Sequence, residues 1–343
     1  MISRILLSTI NYDHPQNGMR HAFEGIFGKE NVIDFDFMKS CGGLVPHRDG
    51  SGRFMQVNGP DPNETIFNLA RQHRPDWIWL QIQDSGILQP ETFMQIRREL
   101  PRCVISHWTG DVRQQVSAYL SSICRSTHLT LASSRGQIPM FRAAGAPRAN
   151  YLQIGVDWQE DVQGTTWEPP FRVPGVVFIG NYHGNTFPGT VDRENAIRVL
   201  KQQGIDVGVV GSGWPTDLQP VGSCHVKQQS SIWKRAQICL SINHFNDIES
   251  YYSDRQLIAM ASGTPVVCRY IPGLEREFEN GVNCMWYQTG EQLLECVRHL
   301  LASQPLRVQI GRRGRAEVLR KHTWFNRVLD VLPEIETIQK ELG

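Results

Sequence analysis

Nearly uninterrupted apolar runs recur along this chain, each followed by a longer amphipathic stretch. In the first half the runs are SRILLST, NVIDFDF, DWIWLQI, CVISHW, HLTLAS and ANYLQI. None of them has a polar face, so a strand made from any of them must be covered on both sides. That requirement selects a parallel sheet sandwiched by helices, the doubly wound α/β class. Helical patterns fill the gaps at 18–27, 62–73, 90–100, 112–123 and 136–144. Asp61-Pro62-Asn63-Glu64 predicts a helix start with an N-cap, a proline in the first turn and a capping-box glutamate.

A second series of the same kind follows. GVVFIG, DVGVVG, QICLSIN, TPVVCRY and VNCMWY read as strands, while DRENAIRVLKQQG, SIWKRA, SDRQLIAMASG and GLEREFENG read as helices. From Thr289 onward the pattern is helical. Between the two series, 157–174 has no periodicity and carries Pro169, Pro170 and Pro174 with Trp158, Trp167 and Phe171 as anchors. A chain of 343 residues exceeds what one core serves. The expected organisation is therefore a Rossmann-like domain at 1–156, a linker at 157–174, a second Rossmann-like domain at 175–323 and a terminal helix at 324–343.

Composition removes several function classes. The formal net charge is +1, from 35 basic and 34 acidic residues, which does not describe a polycation that grips nucleic acid non-specifically. No apolar run reaches the roughly 18 residues of a membrane span, and the N-terminus reads as a first strand, so a cytoplasmic protein is expected. Eight cysteines without a CxxC pair suggest buried free thiols in a reducing compartment. The scattered histidines form no ligand spacing with the cysteines, so a structural zinc is not expected. Asp34-Phe35-Asp36 has the spacing of a metal-binding DxD but follows only the second strand, and reads as strand-end carboxylates. Trp77 and Trp79 alternate along a strand and read as core. Arg307, Arg312, Arg313, Arg315, Arg320 and Lys321 read as a solvated helix face, with nucleic-acid contact as the sharper alternative.

Doubly wound sheets bind ligands at the carboxyl ends of their strands. The first loop, INYDHPQNG, lacks the GxGxxG of dinucleotide binding. GIFGKE is too short for a phosphate loop, and Gly211-Ser212-Gly213 has valine where a nucleophile elbow needs glycine. The most informative stretch is 244–287. There a loop leads from a buried strand into Ser253-Asp254-Arg255-Gln256, a predicted capping box in which Ser253 accepts from the Gln256 backbone and the Gln256 side chain reaches back. Gly263 is placed to close that helix. A diphosphate at its start would meet free N–H groups, the positive end of the helix dipole and Arg255.

The string DR-x-L-x-AMASGTPVV, then PGLE-x-x-F-x-x-G-x-N, then R-x-x-RAEVLRKHTW resembles the nucleotide-sugar domain of group 1 glycosyltransferases of GT-B fold, and more narrowly their spore-protein type. FIGNY at 178–182, DRENAIRVL and VVGSGW are similar to that domain's opening units, and 133–157 to the end of the family's N-terminal domain. The resemblance covers roughly residues 100–325. It implies two doubly wound Rossmann-like domains facing a cleft, with the last helix crossing back to the first domain. The implied activity is metal-independent transfer of a sugar from a nucleotide-diphosphate donor to an acceptor hydroxyl on a glycan, a small molecule or a modified DNA base. On the donor side it points to Gly180, Asn181, Arg193, Lys234, Ser253, Asp254 and Arg255. In CVISHWTGDVR it points to His107 as a sugar contact and Asp111 as the group that orients or deprotonates the acceptor; Asp111 is also the expected N-cap of 112–123. The polar loop 11–18, with Asn11, Asn17 and Gly18, is placed on the acceptor side. Where most of the broad family carries two glutamates, this chain has Ser250 and Ile258, with Glu249 one residue off the first. Two alternatives stand beside this reading: a DNA glycosyltransferase acting on a hydroxymethylated base, motivated by the arginine-rich surface and the modestly basic N-terminal half, and a degenerate GT-B protein that binds without catalysis, motivated by Ser250 and Ile258.

Overall fold

The computed structural model describes residues 2–10, 17–37, 44–46, 54–56, 59–163 and 166–343. The chain divides into two units, Met1–Gln153 with Trp324–Gly343, and Ile154–Thr323.

In the first unit β1 (Ile5–Thr9), β2 (Val32–Asp36), β5 (Trp77–Gln81), β6 (Val104–Thr109), β7 (Leu129–Ala132) and β8 (Ala149–Tyr151) form one parallel sheet. Its order is β2-β1-β5-β6-β7-β8. Every apolar run of the first half thus became a strand. A short antiparallel pair, β3 (Leu44–Pro46) and β4 (Phe54–Gln56), was not visible in the sequence pattern. The helices are α1 (Asn17–Phe27), α2 (Pro62–His73), α3 (Pro90–Glu99), α4 (Ala118–Ser126) and α5 (Ile138–Ala143). Asp61 caps α2 by accepting from the Asn63 N–H at 2.9 Å. The helix expected at 112–123 starts later: Ser117 is its N-cap, accepting from the Leu120 N–H at 3.1 Å, so Asp111 does not cap it. Trp77 and Trp79 are fully buried and meet Phe23 edge-on, which makes them core.

The second unit has the order β10-β9-β11-β12-β13, with β9 (Val176–Ile179), β10 (Val207–Val210), β11 (Ile238–Ser241), β12 (Val266–Arg269) and β13 (Met285–Tyr287), all parallel. Its helices are α6 (Gly189–Gln202), α7 (Gln229–Trp233), α8 (Asp254–Ala261), α9 (Gly290–Ala302) and α10 (Gln304–Lys321). Gly263 takes the left-handed conformation just past α8, at φ 83°, as its place in the sequence predicts. GLEREFENG forms only the turn Leu274–Arg276, because Gly273 and Gly281 at φ 83° and 74° bracket a segment too short for a helix. Segment 157–174 belongs to this unit. Val162 is buried in its core, and Trp158, Trp167, Phe171 and Val173 pack against it.

The final helix, α11 (Trp324–Glu341), is part of the first unit. Trp324 meets Trp108 edge-on at 5.1 Å between ring centroids, and Asn150 donates to Glu334 at 2.6 Å. No described helix is long and apolar enough to cross a membrane. The seven described cysteines are free thiols, and Cys41 lies outside the described residues. Most of the basic stretch in α10 is engaged within the second unit. Arg307 donates to the Leu300 and Leu301 carbonyls, Arg315 stacks on Trp158 at 4.2 Å, and Arg320 and Lys321 pair with Glu317.

Candidate donor site in the second unit

In the second sheet β9 has β10 on one side and β11 on the other. The connections leaving β9 and β11 therefore run in opposite directions, and a crevice opens at the carboxyl ends of these two strands. Gly180 follows β9, and Asn243 and His244 follow β11. The start of α6 is fastened to the end of β11: the Gly189 N–H donates to the His244 carbonyl at 2.8 Å. A Cβ at Gly189 would stand 2.0 Å from the Asn243 carbonyl oxygen, so glycine is what allows the approach. From the other side the Ser253 N–H donates to Asn243 Oδ1 at 3.1 Å, which sets the entry to α8.

Two guanidinium groups converge on this crevice. Arg193 lies on the face of α6 shared by Ala196, Ile197 and Leu200 and is only 1% exposed. Its Nε donates to the Ile242 carbonyl at 3.0 Å, and its Nη1 stands 3.4 Å from both the Asn181 carbonyl and His244 Nε2. Arg193 and Arg255 each place Cζ 5.4 Å from the centroid of the Phe178 ring. A Cβ on Gly180 would come within 3.5 Å of Arg255 Cζ and 3.0 Å of that ring. Neither arginine has a carboxylate within ion-pair distance among the described residues. Burial, and then the charge of Arg255, pushes the Arg193 guanidinium down to about 9. A charge held this dry with no counter-ion is costly unless an anion supplies the missing partner.

Unsatisfied polar atoms gather around the same crevice. Ser253 Oγ, Arg255 Nη1, Gln256 Nε2 and His244 Nδ1 are buried without a hydrogen-bond partner. Each such atom costs about 1–3 kcal/mol. The capping box expected at Ser253–Gln256 does not form. Gln256 turns inward, where its Oε1 accepts from Ser241 Oγ at 3.4 Å, and Ser253 Oγ is left unused. Asp254 Oδ1 accepts from the Arg255 N–H at 2.8 Å. The first turn of α8 thus keeps a hydroxyl and a guanidinium nitrogen available for a ligand, beside the positive end of the helix dipole.

The remaining donor-side candidates make the following contacts. Asn181 Oδ1 accepts from the N–H and the hydroxyl of Ser212, and the Gly180 carbonyl accepts from Trp214 Nε1, so both residues brace the loops after β9 and β10. Lys234 donates to the Val162 carbonyl at 2.6 Å, and no described contact joins it to Arg193 or Arg255. Ile258 is core, and Ser250 is buried with φ 58°. Glu249, one residue off the family position, pairs with Arg276 at 2.5 Å. His244, which the sequence reading did not single out, lies beside both arginines. Burial, followed by Arg193, Arg255 and His183, pushes its imidazole down to about 3.

In the first unit His107 lies inside β6, fully buried, with Nε2 2.9 Å from the Ile82 carbonyl. Burial pushes it down to about 4, so it is a neutral core residue, and the sugar contact expected of it as a loop residue is not open to it. Asp111 is exposed, in a polar cluster at the carboxyl ends of β5 and β6. Arg113 stands 3.5 Å from Asp111 and 3.8 Å from Asp84, and Gln83 Oε1 accepts from the Asp111 N–H and the Thr109 hydroxyl. Asn17 and Gly18 form the first turn of α1, where Asn17 Oδ1 stands 3.5 Å from Arg20 Nη2, and Asn11 lies outside the described residues. Asp34 pairs with Arg20 at 3.5 Å.

A family model described as glycosyl transferase-like matches residues 193–332, starting at the buried arginine. No curated protein matches the chain. Among solved structures it is similar to Anabaena HepE in complex with UDP-glucose (TM-score 0.62, 11% identity, covering 97% of this chain and 99% of that one). It is also similar to the lipopolysaccharide outer core galactosyltransferase WaaB (0.61, 12%, 97% and 99%) and to sucrose-phosphate synthase from Thermosynechococcus elongatus (0.60, 12%, 98% and 99%). The chain has the two-domain Rossmann-like fold of the GT-B glycosyltransferases, and much of its second unit is similar in sequence to glycosyl transferase-like proteins.

Proposed function

We propose that the protein is a glycosyltransferase that moves a sugar from a nucleotide-diphosphate donor to an acceptor hydroxyl. The observation that carries this reading is the pair Arg193 and Arg255. Both guanidiniums lie over one aromatic ring at a topological switch point, and neither has a carboxylate partner among the described residues. A diphosphate seated at the first turn of α8 would take hydrogen bonds from Arg255 Nη1 and Ser253 Oγ and would neutralise Arg193. In the reaction the bond between the anomeric carbon and the diphosphate oxygen breaks while a bond to the acceptor oxygen forms. The negative charge that grows on the departing diphosphate then falls on cations already in place, which lowers the barrier without further reorganisation. Metal independence is part of the proposal, because the two guanidiniums and the helix start supply the positive charge. Asp111 is the proposed acceptor-side group, which takes the hydroxyl proton, with Arg113 and Gln83 fixing its loop. HepE and its UDP-glucose complex favour a uridine donor as the first to try.

The reading is tested by thermal unfolding in the presence of UDP-, GDP-, ADP- and dTDP-sugars. A ligand at about a hundred times its dissociation constant adds about 2.7 kcal/mol, which raises the midpoint by several degrees. One nucleotide class is expected to give that shift. Well-folded protein that responds to none of the four contradicts the proposal.

A further inference from the structure

His244 sits where no sequence motif placed a ligand-binding residue. Its ring is enclosed by Phe187 at 4.2 Å and His183 at 5.4 Å between centroids, and Arg193 Nη1 approaches Nε2 to 3.4 Å. Arginine only donates, so this contact is a hydrogen bond only when Nε2 accepts. The single proton of the neutral ring then sits on Nδ1, which is buried without a partner. The free protein therefore holds an unused N–H in the same crevice as the unused groups of Ser253, Arg255 and Gln256.

The charged and titratable groups that face the ring are Arg193 from α6, Arg255 from α8 and His183 from the loop after β9. All three favour the neutral form, as does burial. The carboxylate of Asp192, next to Arg193 in the chain, accepts from Asn246 Nδ2 at 2.9 Å. No carboxylate forms an ion pair with His244 among the described residues.

We infer that His244 is a third ligand of the bound diphosphate, and that it takes up a proton from solvent when the anion binds and returns it when the anion leaves. The inference rests on the crevice being a diphosphate site. Two negative charges placed against two guanidiniums cancel the arginine repulsion on the ring and add an attraction that offsets burial, the larger cause of its neutrality. The anion also gives Arg193 Nη1 a better acceptor than Nε2, which frees that nitrogen to be protonated. Both ring nitrogens then donate, Nδ1–H to the ligand. Linkage fixes the sign. The bound state holds more protons than the free state between the two pKa values of His244, so affinity rises as pH falls across that window.

The test is titration calorimetry with UDP-glucose, ADP-glucose and GDP-mannose, whose diphosphate diesters keep two charges between about pH 5 and 8. Each is titrated in buffers of high and low ionisation enthalpy. At about pH 6 the parent protein and His183→Gln are expected to take up about one proton per ligand bound, and His244→Gln none. The parent's affinity is expected to tighten about tenfold from about pH 8 to pH 6, and that of His244→Gln to stay level. A merely structural role for His244 would lower affinity equally at both pH values. Parent binding without proton uptake, or equal uptake by His244→Gln, overturns the inference while the diphosphate site stands. Failure of all three nucleotide sugars to bind overturns the site, and the inference with it.

Discussion

Arg255→Gln is expected to weaken nucleotide-sugar binding by about 30- to 150-fold, at no cost in stability to the free protein. The first part follows from the loss of charge-assisted hydrogen bonds to a diphosphate, worth about 2–3 kcal/mol together. The second part separates this site from an ordinary structural arginine. Arg255 forms no ion pair in the described structure, leaves Nη1 buried and unbonded, and opposes the charge on Arg193. Its replacement gives up a cation–π contact with Phe178 worth about 0.5–1 kcal/mol but relieves a repulsion and an unmet donor of similar size. Unfolding midpoints measured without ligand should stay level or rise, while calorimetry shows the loss of affinity. A variant that melts several degrees lower and still binds normally would make Arg255 a scaffold residue.

The second large effect is steric. Gly189 begins α6 with its nitrogen on the His244 carbonyl, and an added methyl group would meet the Asn243 carbonyl oxygen at 2.0 Å and the His244 carbonyl group at 2.9 Å. These are backbone atoms that no rotamer change can move. Gly189→Ala must push α6 away from the end of β11, and Arg193 and His244 move apart with it. The expected cost is about 3 kcal/mol, seen as a midpoint lower by about 6–12 °C. Gly290→Ala is the matched control. Gly290 is likewise the first residue of its helix, but its nearest neighbour would be a Val199 methyl at 3.9 Å. There the change should be neutral or stabilising by about 0.4–1 kcal/mol, through the lost freedom of the unfolded chain. Equal melting of the two variants would show that the contact between α6 and β11 does not fix the crevice.

Much of this architecture was legible in the residues. An apolar run with no polar face has only one economical home, so each such run was found as a parallel strand, the inner ones almost wholly buried and β2, β8 and β13 at the sheet edges partly so. The charged residues were harder to place. Arg193 reads as a solvated lysine-like position if the helix is scanned for charge. It falls, however, at i, i+3, i+4 and i+7 spacing with Ala196, Ile197 and Leu200, which is the apolar face of α6. That spacing was the available signal for a buried arginine. His244 carried no periodic signal, because a loop residue is placed by the strand before it and by its neighbours in space. The S-x-x-Q pattern at Ser253 looked like a capping box, and only the proximity of Ser241 across the sheet shows why Gln256 turns away. His107 was misplaced for a simpler reason. β6 runs on to Thr109, so a histidine expected at its exposed end lies within the core.

The most direct test of the donor site is a crystal structure of the protein with the nucleotide sugar that stabilises it. The diphosphate is predicted to lie over Phe178, within hydrogen-bonding distance of Arg193, Arg255 and the Ser253 hydroxyl at the first turn of α8. A nucleotide whose phosphates lie elsewhere on either unit, with both guanidiniums still unliganded, would contradict the account.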